Sequence, residues 1–519
     1  MVHRPEWPAR RRWPDGTMPP GMISRRAFLG TVALAGFTRK AGREIQGGFV
    51  HDSHGLGHRL RDPAPFTAPS RRERASIVIV GGGIAGLSAA WWLDRHGFSD
   101  FVLLEMEAEA GGNARWGEND VSAFPWGAHY VPVPDGGATL VRELLDELGA
   151  LEAGRWRERY LCQAPQERLF LHGRWQEGLE PVVGPTGRDR DQFARFHDRI
   201  AALRETGEFT IPLAHGARPS PLDGLSFAEW LARERLDSNW LRWWADYACR
   251  DDYGALASDT SAWAGLHYFA SRPEDGEGPL TWPEGNGWIA RRLLARLADR
   301  VRTGEPVYRV APEANRWTVL TPSTAWTCDA VVFAAPSFLA THIVQGGVVV
   351  PDFVYSPWLT ANLTLDRWPA SRGAPVAWDN VIFDSPSLGY VVATHQSLRT
   401  HIPRTVWTYY WALAKGSPAE NRRWLLAQSW RSLRDRILGD LARAHPDIRA
   451  CVTRVDILRL GHAMIRPTPG FLGSAARAAL QAGGNRLFYA NSDLSGLSLF
   501  EEAQYRGVQA AARALDALR

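Results

Sequence analysis

Two short apolar runs flank a glycine-rich turn and a helix of small residues between positions 76 and 105. The first run, Ile77–Val80, has the length and branched side chains typical of a buried strand, and a glycine turn over 81–86 follows it directly. After the helix, the run 101–104 repeats the strand pattern and ends at the carboxylate of Glu105. This order of strand, turn, helix, strand and acid predicts a β-α-β unit that binds a dinucleotide.

The glycines of this turn have separate tasks in such a unit. Gly81 permits the tight turn, Gly83 lets the backbone approach a pyrophosphate, and Gly86 lets the helix pack closely on the strand. Ile84 and Ala85 complete the fingerprint at the start of the helix. Glu105 is placed to accept hydrogen bonds from both ribose hydroxyls of an adenosine, and it would repel an NADP phosphate. The fingerprint alone does not distinguish FAD from NAD.

Helical and extended patterns alternate along the rest of the chain. Helices are predicted over 138–148, 189–203, 240–253, 288–300 and 421–445, and a capping box opens another helix at Ser226. Strands are predicted over 306–310, 330–336, 359–365 and 390–394, with a strand and turn at 168–175. The region 136–275 is therefore expected to be mostly helical, and 330–336 is expected to return the chain to the first sheet.

A second glycine pattern, Gly285-Asn-Gly287, imitates the fingerprint. Pro283 interrupts the approach to it, no proper strand precedes it, and the strand after its helix lacks a terminal acid. We therefore interpret it as the start of a helix rather than as a second nucleotide site.

Length and composition limit the class of protein. A chain of 519 residues exceeds the roughly 250 to 300 at which one core stops growing, so two domains are expected. A net charge of +4 with 22% charged residues is too balanced to indicate nucleic acid or an anionic membrane surface as a partner. Lys40 and Lys415 are the only lysines, and some of the 24 tryptophans are candidates for the wall of an apolar or cationic pocket.

Cysteine and histidine positions argue against a metal site. The four cysteines are scattered without the spacing of a zinc site, although one or two disulfides remain compatible with an oxidising compartment. His51, His54 and His58 form the only dense histidine cluster, and two intervening glycines argue against a helix that presents all three rings. A polar loop is the expected structure there, and no metal is expected.

The start of the chain resembles an export signal. Ser24-Arg25-Arg26-Ala-Phe-Leu-Gly30 is similar to the twin-arginine motif that exports folded, cofactor-loaded proteins. The apolar run that follows, through Phe37, is far shorter than the roughly twenty residues that span a bilayer, and no other segment is a transmembrane candidate. This predicts a signal region over 1–40, a tether over 41–75, and a periplasmic or extracellular location. A chance Arg-Arg pair in a cytoplasmic protein is the alternative.

From residue 76 to 519 the chain resembles the flavin-dependent amine oxidase superfamily, which includes monoamine and polyamine oxidases and phytoene desaturases. Besides the fingerprint, the resemblance rests on three motif regions and on a match of Val307 to the strand that contacts adenine. The first motif region contains Gly111, Gly112, Asn113 and Arg115. The second, which lies beside the flavin ring in the family, contains Gly127, Ala128, His129 and Tyr130. The third, the C-terminal flavin motif, contains Asp493, Glu502 and Ala503. The resemblance implies FAD, bound non-covalently because the C-terminal motif has no cysteine.

The resemblance also implies the fold. The expected class is α/β, with a Rossmann-like FAD-binding domain of the glutathione-reductase type and a discontinuous, mixed α+β substrate domain. The FAD-binding domain is expected over 76–135, 276–345 and 460–519, and the substrate domain over 136–275 and 346–459.

The implied chemistry is removal of a hydride from a small-molecule amine, with a polyamine as one candidate, and reoxidation by oxygen or another acceptor. His129 and His462 are the candidate catalytic residues. Trp282, Tyr410 and Trp411 are candidates for the substrate pocket, and Arg466 is a candidate to bind a substrate carboxylate.

Two alternatives stay open from the sequence. The lysine that amine oxidases commonly place near the flavin has no counterpart in Trp358–Leu365, which favours a desaturase or isomerase of a lipid-like polyene. In the other alternative, FAD is a structural element of a binding or electron-transfer protein.

Overall fold

A five-stranded parallel sheet carries the predicted dinucleotide unit in the computed structural model. Its strands lie in the order Val301–Arg302, Phe101–Leu104, Ile77–Val80, Ala330–Phe333 and Leu487–Tyr489, and every neighbouring pair is parallel. The chain therefore returns to this sheet three times after leaving it, once at Ala330–Phe333 as the sequence predicts for 330–336. The structure describes residues 44–61, 66–134, 136–213, 220–272 and 278–519, of which Ile45–Arg519 form one compact unit.

Glycines let two helices approach this sheet and each other. Helix Ile84–Arg95 follows the turn, and a Cβ added to Gly86 would lie 1.9 Å from the backbone oxygen of Gly81. Helix Phe500–Leu518 packs against it, and a Cβ on Gly507 would lie 2.1 Å from a backbone oxygen of the first helix. No larger residue fits at either position without a shift of backbone, so the small residues set the interhelical distance.

An eight-stranded mixed sheet forms the second layer of the molecule. In spatial order its strands are Gln46–Phe49, Val452–Arg466, Val354–Leu365, Thr405–Ala412, Gly389–Val392, Asp379–Ile382, Glu167–Leu171 and Arg174–Glu177. Central strand Val354–Leu365 is buried along almost its whole length because both of its faces are covered. One face packs on apolar side chains of the helices between 418 and 451, and the other faces the helix Asn239–Tyr253.

The remaining strands form smaller sheets. A four-stranded sheet contains Arg309–Glu313, Arg316–Leu320, Thr324–Cys328 and Arg71–Arg74. Three two-stranded sheets pair Leu280–Thr281 with Tyr130–Val131, Trp116–Glu118 with Ala123–Pro125, and Leu151–Glu152 with Arg155–Trp156. The strand predicted over 306–310 is shifted in the structure. The edge strand of the parallel sheet is Val301–Arg302, the next strand begins at Arg309, and Val307 lies in the connection between them.

Helices occupy most of the predicted positions. Further helices are His54–Arg61, Thr139–Glu147, Gly187–Glu205, Phe227–Arg233, Ala262–Ala270, Gly287–Leu297, Ser337–Ile343, Pro418–Ala427, Trp430–Leu441, Ile448–Cys451 and Ala475–Ala482. The capping box at Ser226 is present, with hydrogen bonds in both directions between Ser226 and Glu229. The single helix predicted over 421–445 is wrong: it breaks at Gln428, and the side chain of Ser429 caps the helix that starts afterwards.

The segment predicted as a tether differs most from expectation. Strand Gln46–Phe49 pairs in parallel with Arg454–Ile457 at the edge of the eight-stranded sheet, and Asp52 forms an ion pair of 2.7 Å with Arg459. The histidine cluster is not a loop, because His54–Arg61 is helical. Within the described residues, no three His, Cys, Asp or Glu side chains are placed to hold a metal ion.

Three further expectations concern the chain as a whole. All four cysteines are buried and free, so neither of the disulfides that the sequence allows is formed. Over the ranges that the structure describes, no helix has the length and apolar character needed to cross a bilayer. The signal predicted over 1–40 lies outside the described residues.

Candidate functional site

A cavity of about 1420 Å³, called the cofactor cavity below, lies at the carboxyl end of the parallel sheet, where α/β folds bind their ligands. Most of the residues that the sequence predicts to bind the cofactor line this one cavity. They are Gly81, Gly83, Ile84, Ala85, Glu105, Gly112, Asn113, Arg115, Ala128, Val307, Asp493 and Ala503. Residues from three distant parts of the sequence therefore meet here because the sheet brings its strand ends together.

Two glycine turns lie side by side in the wall of the cavity. Gly81 adopts a φ of +104°, and Gly112 adopts a φ of +56°, both of which disfavour a side chain. A Cβ on Gly83 would have only the Cα of Gly112 within 4 Å, at 3.9 Å. The backbone at the start of helix Ile84–Arg95 is therefore open to the cavity and can donate to an anionic group. Gly86 and Gly111 support these turns from outside the cavity lining.

Glu105 is held in place by backbone donors. One carboxylate oxygen accepts the N–H of Gly82 at 2.6 Å, and the other accepts the N–H of Glu107 at 2.8 Å. Burial raises the pKa of this carboxyl, and the two N–H donors oppose that shift. Since a carboxylate can accept about four hydrogen bonds, it keeps the capacity to accept two ribose hydroxyls as well.

Arg115 supplies an unsatisfied cationic donor. Its Nε donates to the carbonyl of Gly112 at 3.1 Å, while its buried Nη1 has no hydrogen-bond partner among the described residues. Glu107 lies 3.9 Å from Nη1. A buried guanidinium nitrogen without a partner is costly, and a phosphate oxygen would satisfy it. The glycine backbone and this donor together fit the pyrophosphate of a dinucleotide.

The C-terminal motif contributes through Asp493 and the helix that follows it. Asp493 is buried, and one of its oxygens accepts the N–H of Ser337 at 2.8 Å and the hydroxyl of Tyr355 at 2.7 Å. Burial raises the pKa of this carboxyl. Ala503 lines the cavity, but the Glu502 side chain turns away and accepts the N–H of Leu213. Glu502 therefore supports the helix rather than the cofactor cavity.

A second cavity, of about 1010 Å³, adjoins the first and is called the chamber below. Asn113, Ala128, Asn286 and Phe500 are among the residues that line both spaces. Gly127, His129, Tyr130 and Tyr410 line the chamber, as the sequence places them beside a flavin ring or a substrate. The chamber lies between the eight-stranded sheet and the start of helix Phe500–Leu518, so a bound ring at the shared residues would face it.

The two candidate catalytic histidines lie in different cavities. His129 is in the chamber, with its ring 4.8 Å from that of Tyr410, and burial lowers its pKa to about 4. His462 is in the cofactor cavity, with its ring 4.5 Å from that of Phe338, and burial and the charge of Arg422 lower its pKa to about 4. Both rings are therefore neutral at pH 7 and are weak proton acceptors.

Carboxylates that the sequence reasoning missed dominate the chamber. Among the described residues, four carboxyl groups line it together with a single cation, Arg272; they are those of Asp251, Asp252, Asp379 and Glu501. Arg272 is already paired, since its Nη2 donates to both carboxylate oxygens of Asp252 at 2.8 and 3.1 Å.

Burial gives two of these carboxyls unusual titration behaviour. It raises the pKa of Glu501 to about 7, and burial together with the charge of Asp252 raises the pKa of Asp251 to about 7. Burial also raises the pKa of Asp379, whose carboxylate lies 3.5 Å from the hydroxyl of Tyr247. The chamber therefore holds more potential negative charge than its one arginine balances.

A third cavity, of about 1600 Å³, continues the chamber away from the cofactor side. It shares Asp251, Asp379 and Glu501 with the chamber and adds Glu167, whose pKa burial raises. Acidic residues therefore line both of these adjoining spaces, together with Arg272.

Of the four predicted substrate residues, only Tyr410 lies in the chamber. Its hydroxyl donates to the carbonyl of Gly127 at 2.8 Å. Trp411 follows it on the same strand, so its side chain points to the opposite face of the sheet, into a separate pocket that also contains Lys415.

The other two substrate candidates do not line the chamber. Trp282 stacks on Trp288 with ring centroids 4.6 Å apart and borders a small separate cavity of about 230 Å³. Arg466 is buried, donates to the hydroxyl of Ser356 at 3.3 Å and lies 3.7 Å from Asp259.

Some sequence signals for the missed carboxylates were present. Asp251-Asp252 ends an aromatic helix, where a buried acidic pair is unusual, and Glu501 directly precedes a residue of the recognised motif. Asp379 had no such signal, because only strand pairing brings it to the chamber.

Comparisons with known proteins agree with this architecture. The family described as an NAD(P)-binding Rossmann-like domain matches residues 79–148. The chain is 26% identical over 314 residues to an L-amino acid dehydrogenase of Synechocystis sp., covering 56% of this chain and 62% of that protein. It is 44% identical over 71 residues to the peroxisomal N(1)-acetyl-spermine/spermidine oxidase of Bos taurus, covering 14% of each. The chain thus spans less than two thirds of either curated relative.

Solved structures extend the likeness over most of the chain. Wild-type putrescine oxidase bound to putrescine has a TM-score of 0.66 with this chain at 18% identity, covering 85% of this chain and 99% of the oxidase. At that identity the likeness shows the fold. The chain contains an NAD(P)-binding Rossmann-like domain and shares the fold of the flavin-dependent amine oxidases.

Proposed function

We propose that this protein is an FAD-dependent oxidoreductase that removes a hydride from a cationic small-molecule amine, with a diamine or polyamine as the favoured class. One observation carries the proposal: the chamber beside the dinucleotide cavity is lined by four carboxyl groups and one arginine that is already paired. An ammonium group is the ligand that such a chamber favours.

The energy of this attraction is large enough to select substrates. Two unit charges about 4 Å apart interact by about 4 kcal/mol at the effective dielectric constant of roughly 20 that suits protein sites. Tyr130, Tyr247 and Tyr410 add ring faces that attract a cation. Glu167, beyond the chamber in the third cavity, offers a second ammonium a separate partner and so favours a dicationic amine over a monoamine.

FAD fits the cofactor cavity through residues already described. The open backbone at Gly83, the unsatisfied Nη1 of Arg115 and the carboxylate of Glu105 would hold its pyrophosphate and ribose, and Asp493 would hold the ribityl chain. None of the four cysteines lines either cavity as the structure describes them, which supports non-covalent binding. When bound, FAD supplies the hydride acceptor.

The chain's own residues handle the proton. An amine must lose its ammonium proton before a hydride leaves the adjacent carbon. His129, with a pKa of about 4, is a poor acceptor, whereas Asp251 and Glu501, with pKa values of about 7, are much better ones. We therefore assign proton acceptance to these carboxylates, and we assign to His129 the packing of the aromatic wall.

The chamber disfavours the alternative substrates. A lipid-like polyene would desolvate the carboxyl groups and offer them no partner. An amino acid would bring a carboxylate beside Asp251, Asp379 and Glu501, and Arg272, the one cation among the described lining residues, is already paired with Asp252. The absence of a lysine among the described chamber residues therefore does not by itself favour polyene chemistry.

The domain division and the export signal are part of this proposal. Support for the division comes from the sheets, since the parallel sheet is built from 76–135, 276–345 and 460–519, and most of the eight-stranded sheet from 136–275 and 346–459. We infer export by the twin-arginine machinery from Arg25 and Arg26. Replacement of both by lysine should retain the protein in the cytoplasm on fractionation, and unchanged export would refute the signal.

Anaerobic reduction of the bound cofactor tests the function. The holoprotein is mixed with putrescine, spermidine, cyclohexylamine, L-amino acids or a polyene, and bleaching is followed near roughly 450 nm, where oxidised flavins absorb. Diamines should bleach it fastest. Bleaching by amino acids alone, or polyene conversion without bleaching by any amine, would refute the proposal.

Two variants sharpen the result. Asp251→Asn should weaken amine binding at pH 8 by about tenfold or more, which is the loss of one charge contact of about 1.4 kcal/mol or more. Asp435→Asn is the matched control, because Asp435 is an exposed carboxylate paired with Arg434 and Arg449 outside the chamber. Its amine binding should equal that of the wild type.

A further inference from the structure

Asn286 lies where the cofactor cavity meets the chamber. It lines both spaces, and only 1% of the residue is exposed. It belongs to the second glycine pattern, which the sequence reasoning assigned to a helix start and excluded as a nucleotide site. The helix does begin there, at Gly287, but the turn before it also borders the candidate site.

Both polar atoms of the Asn286 amide lack a partner. Neither Nδ2 nor Oδ1 makes a hydrogen bond to any described residue, although both are buried. Asparagine at the N-cap of a helix ordinarily bonds the exposed N–H groups of the first turn, and Asn286 occupies that position without making such a bond. Burial of an amide without partners is costly, so a role outside the helix cap accounts better for this residue.

Packing of the turn fixes where this amide lies. Gly285 has a φ of +58°, and a Cβ there would lie 2.7 Å from the Cα of His129. The backbone N–H of Asn286 donates to the carbonyl of Ala128 at 3.0 Å. A Cβ on Gly287 would lie 2.4 Å from the Cβ of Trp116. The backbone of the turn is therefore fixed between two neighbours, and this sets the position from which the side chain of Asn286 extends.

We infer that the Asn286 amide is a positioning residue that hydrogen-bonds the redox-active ring of the cofactor at the boundary between the cofactor cavity and the chamber. An amide presents a donor and an acceptor side by side. The isoalloxazine ring of FAD presents complementary N–H and carbonyl groups along its pyrimidine edge. This inference rests on FAD being the cofactor, as proposed above, and it adds a residue outside every recognised motif.

The test compares Asn286→Ala with two other asparagine variants of the full chain. Asn380→Ala removes a buried amide that is fully used, since Asn380 donates to the carbonyl of Ala377 at 2.9 Å and accepts from Arg168, outside both cavities. Asn315→Ala changes an exposed hairpin residue. FAD affinity is measured by fluorescence titration of the apoprotein, and the visible spectrum and midpoint potential are measured on the holoprotein.

The expected pattern separates a cofactor contact from a structural role. Asn286→Ala should bind FAD about tenfold more weakly, with a changed flavin spectrum and potential, while the melting temperature of its apoprotein stays equal to or above that of the wild type. Asn380→Ala should show the reverse, with a lower melting temperature and wild-type FAD affinity. Asn315→Ala should match the wild type in all measurements.

Two results would overturn the inference, and a third concerns the function instead. FAD affinity, spectrum and potential unchanged in Asn286→Ala would exclude the contact. Destabilised apoprotein with wild-type FAD affinity would show that the amide is structural. Failure of the wild type itself to bind FAD would refute the proposed function, and with it the ligand named here.

Discussion

Acidification from pH 8 to pH 6 should weaken amine binding through the chamber carboxyls. Asp251 and Glu501 both have pKa values of about 7, raised by burial. A cationic amine binds their ionised forms, while an aliphatic ammonium with a pKa near roughly 10 stays charged over this range. The sign is therefore fixed: affinity is highest above pH 7 and falls as the carboxyls take up protons.

The size of the effect follows from the fraction of each group that is ionised. A group with a pKa near 7 is about nine-tenths ionised at pH 8 and about one-tenth ionised at pH 6, so each carboxyl that contacts the ammonium contributes about a tenfold loss. The expected loss of amine affinity between pH 8 and pH 6 is therefore about tenfold if one of Asp251 and Glu501 contacts the ammonium, and about a hundredfold if both do.

Anaerobic stopped-flow reduction measures this directly, because the amine concentration dependence at each pH yields the dissociation constant. Asp251→Asn should bind the amine at pH 8 about tenfold more weakly than the wild type and should show a shallower pH profile. An uncharged alcohol of the same shape, used as a competitive ligand, should show no loss of affinity at low pH. Wild-type affinity that is constant from pH 6 to 8, or that improves on acidification, would refute the reasoning.

Three further predictions concern packing and stability. Gly86→Ala should destabilise the protein by about 3 kcal/mol or more in denaturant unfolding, because its Cβ would lie 1.9 Å from the Gly81 oxygen, and wild-type stability would contradict this close packing. Tyr410→Phe loses the hydrogen bond to Gly127 and should raise the KM for an amine several-fold. Trp411→Phe, on the opposite face of the sheet, should leave KM unchanged, and equal effects of the two substitutions on KM would contradict the strand orientation. Asp251 and Glu501 hold their protons more tightly in the folded apoprotein than in the unfolded chain, so their contribution to folding stability is greatest below about pH 4 and is lost as the pH rises to about 7. The melting temperature of the wild-type apoprotein should therefore fall more between pH 4 and pH 7 than that of a variant in which both carboxyls are changed to amides.

The dinucleotide unit was predictable because its information is local. Ile77–Val80, the glycine turn and Glu105 lie within thirty residues, and each position has a specific steric or hydrogen-bonding requirement that the residue type reveals. Most of the predicted cofactor residues accordingly line one cavity. Glu502 lines neither this cavity nor the chamber, because on a helix adjacent residues point in different directions and the motif alone does not tell which side faces the cavity.

Substrate residues were harder to predict than cofactor residues for a related reason. Tyr410 and Trp411 are adjacent aromatic residues, and only the pairing of their strand decides that Tyr410 faces the chamber. Asp251, Asp379 and Glu501 come from a helix end, a strand start and another helix start, with no shared spacing. Their joint effect on charge and pKa exists only after folding brings them together.

By itself, the sequence determined that this chain contains a β-α-β unit of the dinucleotide-binding type, since the glycines and the terminal acid that mark the unit lie within about thirty residues of one another. Only the tertiary structure decided that residues 46–61 join the fold, that the space beside the cofactor is acidic, and that Asn286 borders it. The physical reason is that charge, burial and access in a cavity are properties of side chains that long-range strand and helix packing brings together, and no local pattern encodes them.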